Sequence, residues 1–184
     1  MNNNYIIAEI DIIEENINKK IRIINSFEQW KREESIIQED DYKYENEEEI
    51  KDNCIIKINN EKIPFSYFYK FNKKGKYQIQ YFFKNNIIKV NNMFLNCSSL
   101  TNIDLSNFNN KYVINMSYMF SGCISLININ LNNINTENVA NMSYMFFGCK
   151  SLINIDLSSF NTQNVINMSY SKMHLNHQRE LIIS

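Results

Sequence analysis

The chain has 184 residues, a formal net charge of −1 and 44% hydrophobic residues. That length suffices for one or two domains with a buried core, and the hydrophobic fraction argues against wholesale disorder. The small net charge gives no general attraction to nucleic acid or to an anionic membrane. No window stays apolar over the roughly 18 residues of a membrane span, and the N-terminus lacks the pattern of a signal peptide. The sequence therefore predicts a cytoplasmic protein, with the extracellular surface as the alternative if the N-terminus is incomplete.

Residues 1–85 are predicted to form a β-rich capping domain. Residues about 31–50 are acidic and polar, which favours a short helix or a solvated loop. The whole chain has only three Gly and one Pro, so Asn is expected at turns, because it tolerates left-handed backbone angles. Alternating apolar residues on both sides of the acidic stretch indicate strands, namely Tyr5–Ile12, Ile21–Phe27, Cys54–Ile58, Lys62–Phe65, Tyr67–Phe71 and Tyr77–Phe83.

Residues 86–170 carry a repeat with a period of 26 residues. A Met-Phe pair recurs at Met93, Met119 and Met145, and Leu, Ile, Val and further Met positions keep the same step. A fixed period of this size is the signature of a repeat architecture, in which each copy buries its apolar side only against its neighbours. The composition also changes here, because the repeats are nearly uncharged, and this change predicts a domain boundary near residue 85.

Within one repeat, two apolar patterns alternate. Residues 152–157 follow L-x-x-L-x-L, which predicts a short strand with Ile155 and Leu157 pointing inward. Met142, Met145 and Cys149, together with Phe146, have the i, i+3, i+4, i+7 spacing of an apolar helix face. Each repeat is therefore expected to contain one strand and one short helix.

The segment Asn141–Val165, NMSYMFFGCKSLINIDLSSFNTQNV, resembles the BspA-type leucine-rich repeat of bacterial and protist proteins. The resemblance covers about residues 87–170 and implies a right-handed solenoid with a role in adhesion or protein interaction. The stretch around Ile63–Phe71 resembles the β-rich leader that precedes such repeats. The predicted fold class is thus α+β, a short solenoid capped by the N-terminal domain. The repeat pattern breaks after Tyr170, so residues 171–184 are predicted to be an aberrant tail, either a short cap or the mark of a truncation.

The outward strand positions are the predicted protein-binding site. They form columns of small polar side chains at the repeat period, flanked by apolar residues that are candidate anchors. A plain solvated sheet face is the alternative. The predicted site comprises Asn102, Asp104, Ser106, Ile127, Asn128, Asn130, Asn132, Ile153, Asn154, Asp156 and Ser158.

Residues with catalytic or metal-binding chemistry are scarce. Cys97, Cys123 and Cys149 lie 26 residues apart, but no C-x2-C pair is present, so they are predicted to be buried core thiols and not metal ligands. His174 and His177 have a helical metal spacing without an obvious third ligand. No phosphate-binding or dinucleotide motif occurs. The chain is therefore predicted not to be an enzyme and to need no cofactor.

The predicted function is that of a non-catalytic module that binds an unidentified protein partner through the strand face. Two alternatives remain: a fragment of a surface adhesin or antigen without its export signal, and a truncated family member without function. The uncapped last repeat also predicts a homodimer or poor solubility, because an uncovered apolar repeat end favours self-association and aggregation.

Overall fold

A computed structural model of the protein describes residues 4–35, 42–153, 155–169, 174–175 and 179–180. Two α-helices lie in the first half, α1 at Phe27–Glu34 and α2 at Glu47–Asn53, with 3-10 turns at Glu14–Asn16 and Tyr42–Tyr44. The strands are β1 (Tyr5–Ile12), β2 (Lys20–Arg22), β3 (Cys54–Ile58), β4 (Glu61–Ile63), β5 (Phe68–Lys70), β6 (Gly75–Phe83), β7 (Leu100–Asp104), β8 (Asn128–Asn130), β9 (His174–Leu175) and β10 (Arg179–Glu180).

A six-stranded mixed sheet organises the molecule, with the strand order β4-β3-β6-β1-β7-β8. Its pairs are antiparallel except for β7 and β8, which are parallel. The first strand of the chain therefore lies in the middle of the sheet, between β6 of the first half and β7 of the first repeat. Two small antiparallel pairs, β2 with β5 and β9 with β10, stand apart from this sheet.

Strict alternation in β1 explains its central place. Ile6, Ala8 and Ile10 are fully buried, whereas Glu9 points to the opposite face and is only half-buried. Successive side chains of a strand point to opposite faces, so one face of β1 joins the core and the other lines the outside of the sheet. The core beneath is one hydrophobic cluster that includes residues of both halves, from Ile6 to Leu152.

The predicted fold class, a capped α+β solenoid, is wrong. The chain forms a mixed, sheet-rich fold with two α-helices, both in the first half, and none of the predicted repeat helices is present among the described residues. The strands of the first two repeats do not form a separate layer; β7 and β8 join the sheet of the first half through β1. The third repeat contains no strand among its described residues. Within 151–160, Asn154 alone lies outside the description.

Hydrogen bonding between repeats explains why no helix forms at the Met-Phe-x-x-Cys segments. Met119 N donates to Met116 O across a tight turn, but Phe120 N donates to Met145 O, one repeat further on. Tyr118 has a φ of 56° and Gly122 a φ of 73°, both left-handed. Left-handed residues interrupt an α-helix, and donors used between repeats are not available to close helical turns within one. The apolar spacing is real, but it is satisfied by turns.

The first half closes the open end of the first repeat with three side chains. Asn46 Nδ2 donates to Asn91 O over 2.7 Å, and Asn25 Nδ2 donates to Leu95 O over 3.1 Å. The Glu49 carboxylate accepts the backbone N–H groups of Ile88 and Lys89. These bonds replace the backbone partners that an earlier repeat would supply.

Several local predictions in the first half are confirmed. The strands Tyr5–Ile12 and Cys54–Ile58 have the predicted bounds, and Asn59 and Asn60 form the turn that follows β3, both with positive φ. The predicted strand Ile21–Phe27 is shorter, because Ser26 caps α1 by accepting the Gln29 N–H, so Phe27 begins a helix.

Three further predictions concern the acidic stretch, the domain boundary and the tail. Within the acidic stretch, residues 36–41 lie outside the described residues. The boundary near residue 85 stays a prediction, and most of the predicted tail, 171–184, lies outside the description. Among the residues that are described, no helix is long and apolar enough to cross a membrane.

Candidate functional site

The structure places four of the predicted binding residues on β7 and β8 of the sheet; the other described ones lie outside the strands, three of them in the third repeat. Asn102, Asp104, Ser106 and Asn130 are half-buried, and Asn154 lies outside the described residues. The remaining predicted residues are exposed, namely Ile127, Asn128, Asn132, Ile153, Asp156 and Ser158.

A hydrogen-bonded polar row crosses three strands of this face. Asn128 Nδ2 donates to Asn102 Oδ1 over 2.8 Å, and Asn102 Nδ2 donates to Glu9 Oε2 over 2.6 Å. The bond to a carboxylate is of the charge-assisted kind, which is stronger than a neutral one. The sequence prediction missed Glu9, which is 93 residues from Asn102. Alternation in β1 indicates that Glu9 points outward, but no local pattern shows that β1 lies beside β7.

Part of the predicted binding site has a structural role, namely the column of Asp104, Asn130 and Asp156. The side-chain Oδ1 atoms of Asp104, Asn130 and Asp156 each accept the backbone N–H two residues on, at 2.8, 3.0 and 2.9 Å. This is the bond of an Asx turn, which stabilises the bend after the strand. The turn itself explains why Asp or Asn recurs there, so a contact role for this column needs separate support.

The first-half strands widen the predicted surface. A shallow concavity of about 400 Å³ lies over the sheet, and Ile7, Glu9 and Gln78 from β1 and β6 line it together with residues of β7 and β8. We call this surface the outer sheet face; its polar members are Glu9, Gln78, Asn102, Asp104, Asn128 and Asn130.

A second concave surface was not predicted from the sequence. It is a cleft of about 340 Å³ between α1 and the turns of the repeats. Among the described residues, five aromatic side chains and a set of amides and hydroxyls line it, and none of these is charged. We call it the aromatic cleft; it is lined by Phe27, Trp30, Tyr44, Asn92, Ser117, Tyr118, Asn141, Ser143, Tyr144 and Asn167.

Two tyrosines of the aromatic cleft occupy an unusual backbone conformation. Tyr118 and Tyr144 are one repeat apart, both have a φ of 56°, and their rings stack with centroids 4.7 Å apart. A bulky residue at positive φ is uncommon and costs about 1–3 kcal/mol. In the first repeat the equivalent position is Asn92, with a φ of 60°, a residue type that tolerates this conformation. The backbone therefore does not need tyrosine there.

Asparagine also caps the turns beside the aromatic cleft. Asn141 Oδ1 accepts both the N–H and the hydroxyl of Ser143, at 3.0 and 2.8 Å, and Asn115 does the same for Ser117. These bonds start turns and not helices. Asn167 repeats the bond to the Ser169 N–H.

The cysteines are core residues, as predicted. Cys97, Cys123 and Cys149 are free and buried, and burial raises the pKa of each thiol, that of Cys149 to about 12. A thiol held in its neutral form is a poor nucleophile. Among the described residues, no cluster of three or more His, Cys, Asp or Glu side chains could hold a metal ion. Of the histidines, His177 lies outside the described residues.

Comparisons with known proteins identify one family. No curated protein matches the chain, and no solved structure matches it. A family model described as "Mycoplasma protein of unknown function, DUF285" matches residues 64–180, from the end of β4 through all the repeats to β10. Because this match spans more than half of the 184 residues, the chain belongs to the DUF285 family.

Proposed function

We propose that this protein is a non-catalytic module that binds another protein through the outer sheet face. The observation that carries the proposal is the polar row of Glu9, Asn102 and Asn128, which joins three neighbouring strands into one ordered surface. Side chains held in place by hydrogen bonds lose less conformational freedom when a partner docks. The resemblance of the repeats to BspA-type repeats supports the same class of function.

The size of the surface also supports a protein partner. Specific interfaces bury about 800 Å² on each side. In the sheet, β1 and β6 continue the surface beyond β7, and Tyr5 and Phe82 pair on these strands with ring centroids 5.5 Å apart. Aromatic residues are enriched in protein interfaces. A partner that presents hydrogen-bond donors fits the amide and carboxylate oxygens of this face.

The decisive experiment compares two pairs of lysine substitutions that add the same charge. Asn102→Lys with Asn128→Lys alters the polar row, and the ammonium group introduced at position 102 still faces the Glu9 carboxylate. The control is Ser98→Lys with Gln163→Lys, at exposed positions where other repeats carry Lys150 and Lys111. Asp104, Asn130 and Asp156 are left unchanged because their oxygens hold the turns.

Each chain is immobilised, its thermal unfolding is checked, and proteins captured from host cytosol are quantified by mass spectrometry. We expect a protein that the native and control chains capture and that the folded row variant loses by at least tenfold. Equal capture by all three chains, or capture by none, would show that the outer sheet face is only solvated.

We also propose that a second copy of the chain covers the last repeat. Phe160 and Val165 are half-buried there, whereas their first-repeat equivalents Phe108 and Val113 are 4% and 0% exposed.

A further inference from the structure

The aromatic cleft has the dimensions and lining of a small-ligand site. Its volume of about 340 Å³ is within the usual range for ligand pockets, about 300–1,000 Å³. Helix α1 provides Phe27 and Trp30, and the repeats provide Tyr118 and Tyr144 from the other side. Both halves of the chain therefore build the cleft, and it exists only in the folded molecule.

The aromatic side chains leave ring surface accessible. Phe27 is the floor of the cleft, being 6% exposed, and packs against Trp30 and Tyr44 with centroids 5.7 and 5.5 Å away. Trp30, Tyr44, Tyr118 and Tyr144 remain half-exposed. The face of an aromatic ring carries partial negative charge and attracts the polarised C–H groups of a ligand.

Hydrogen-bonding groups lie beside these rings. Asn141 and Asn167 use Oδ1 to accept the serine N–H groups of their own turns. Their Nδ2 groups have no protein partner within the described part of the chain and remain as donors. The cleft thus combines aromatic faces with neutral donors and acceptors, and the part of its lining that the structure describes carries no charge.

From this combination we infer that the aromatic cleft binds a neutral carbohydrate, one or a few sugar units of a glycan. A pyranose ring has a C–H face that stacks on an aromatic ring and a rim of hydroxyl groups that accept from amides and donate to carbonyl and hydroxyl oxygens. Anionic ligands fit less well, because no Arg, Lys or His is among the described residues that line the cleft. This site is separate from the outer sheet face and does not depend on the function proposed for it.

The tyrosine column strengthens the inference. Asn92 shows that asparagine satisfies the backbone at this position, whereas tyrosine adds strain. Tyrosine costs stability at this position although asparagine would suit the backbone better. A functional role for the tyrosine ring explains why tyrosine is present. The stacked pair of Tyr118 and Tyr144 presents a wall along the cleft, opposite the helix.

The protein contains a built-in reporter for this site, because Trp30 is its only tryptophan. The probes are the neutral trisaccharides maltotriose, N,N′,N″-triacetylchitotriose, mannotriose and β-galactotriose. We expect at least one to change the Trp30 emission and to protect it from acrylamide quenching, with a dissociation constant of about 0.1–10 mM, typical of a small neutral ligand. Saturation-transfer NMR on the same sugar gives an independent readout.

The test variant is Tyr118→Asn with Tyr144→Asn, which gives both positions the residue found at Asn92. The matched control is Tyr112→Asn, an exposed tyrosine outside the aromatic cleft. We expect the double variant to keep its thermal midpoint and to bind the sugar at least tenfold more weakly, while the control binds like the native chain. If the double variant does not fold, Trp30→Ala followed by saturation-transfer NMR makes the same distinction.

Three results would overturn the inference. The first is that no trisaccharide perturbs Trp30 or shows saturation transfer at about 20 mM, well above the expected dissociation constants. The second is that a sugar binds the folded double variant as tightly as the native chain. The third is that a proline-rich peptide, and no sugar, occupies the cleft, since aromatic grooves also bind such peptides.

Discussion

At the scale of single residues, the repeats depend on asparagine and aspartate as turn formers. Among the described residues, six of the nine non-glycine residues with positive φ are Asn, and three of these six, Asn92, Asn96 and Asn133, lie in the repeats. This agrees with the prediction that Asn replaces Gly at turns in a chain with three glycines. The amide or carboxylate bonds to nearby backbone, so the side chain stabilises the bend that its own backbone makes.

The Asx turn after β7 yields a residue-scale prediction. Asp104 Oδ1 accepts the Ser106 N–H over 2.8 Å, and the equivalent residue in the next repeat is Asn130. Asp104→Ala should lower the free energy of unfolding by about 1 kcal/mol, because the hydrogen bond is lost. Asp104→Asn should be nearly neutral, because the acceptor remains. Urea unfolding of the three chains measures both, and an equal loss in the two variants would mean that the charge, not the acceptor, matters.

The buried thiols predict that the free energy of unfolding falls at alkaline pH. Burial raises the pKa of Cys123 well above the value of 9.0 that a free thiol has. A raised folded-state pKa means that the stabilisation is fully present below pH 9 and is lost as the pH rises further, because only the unfolded chain releases the proton. The loss is about 1.4 kcal/mol per pH unit for each such thiol. Cys54, Cys97 and Cys149 act in the same direction.

Unfolding by urea under reducing conditions, from about pH 7 to about pH 10.5, tests this effect in the native chain and in Cys123→Ala. The variant starts from a lower stability because it leaves a small cavity, so the slopes are compared and not the absolute values. We expect the native free energy of unfolding to fall more steeply above pH 9 than that of the variant. Parallel profiles would argue against a buried neutral Cys123.

At the scale of elements, the sequence indicated local structure well and long-range pairing poorly. The alternation over Tyr5–Ile12 and Cys54–Ile58 identified both strands with their bounds. Nothing in that alternation places β1 next to β7, so the contact of Glu9 with Asn102 was not predictable. The apolar spacing of Met142, Met145 and Cys149 predicted a helix wrongly, because spacing reports which side chains are buried and not where the backbone N–H groups donate.

The aromatic cleft was missed for a related reason. Tyr44 belongs to the segment predicted as helix or solvated loop and Trp30 directly precedes that segment, whereas Tyr118 and Tyr144 occur in the repeats. The repeated tyrosine is visible in the sequence as a column, but its positive φ is not. Only the folded chain brings the column opposite α1.

The junction of the two halves provides an element-scale prediction. Asn46 is 3% exposed; its Oδ1 accepts the Phe27 N–H and its Nδ2 donates to Asn91 O. Asn46→Ala should cost about 2–3 kcal/mol, because it leaves a buried donor and a buried acceptor unpaired. The control Asn107→Ala, at an exposed asparagine, should cost less than about 0.5 kcal/mol.

Equilibrium unfolding gives the two free energies, and Asn46→Asp separates the two bonds. Aspartate keeps the acceptor for Phe27 but loses the donor to Asn91, so we expect it to be destabilised as well. If Asn46→Ala is as stable as the Asn107→Ala control, then Asn46 does not link α2 to the first repeat.

At the scale of the whole molecule, one core extends under both the first half and the repeats. Tyr81 of β6 packs against Phe94 with centroids 5.2 Å apart, and Phe94 stacks on Phe120, which stacks on Phe146, both at 5.6 Å. This continuous aromatic column joins the core beneath the sheet to the cores of the successive repeats. The column runs from the first repeat towards the last. The first repeat is covered by the first half of the chain, and the last repeat is more exposed.

The exposed last repeat leads to the prediction of a dimer. Ile153 and Ile166 are 68% and 90% exposed there, and burying them against a second copy would remove apolar surface from water at about 25 cal/mol per Å². We expect sedimentation velocity to show a monomer at low protein concentration and a dimer at tens of micromolar, about the strength of a modest interface.

Ile153→Glu with Ile166→Glu should shift the equilibrium to the monomer by at least tenfold without loss of fold, because both side chains are exposed. The control Ile13→Glu, at a first-half isoleucine that is 53% exposed, should dimerise like the native chain. A native chain that stays monomeric at the highest concentration, or a control that dissociates as readily as the variant, would exclude the last repeat as the contact surface.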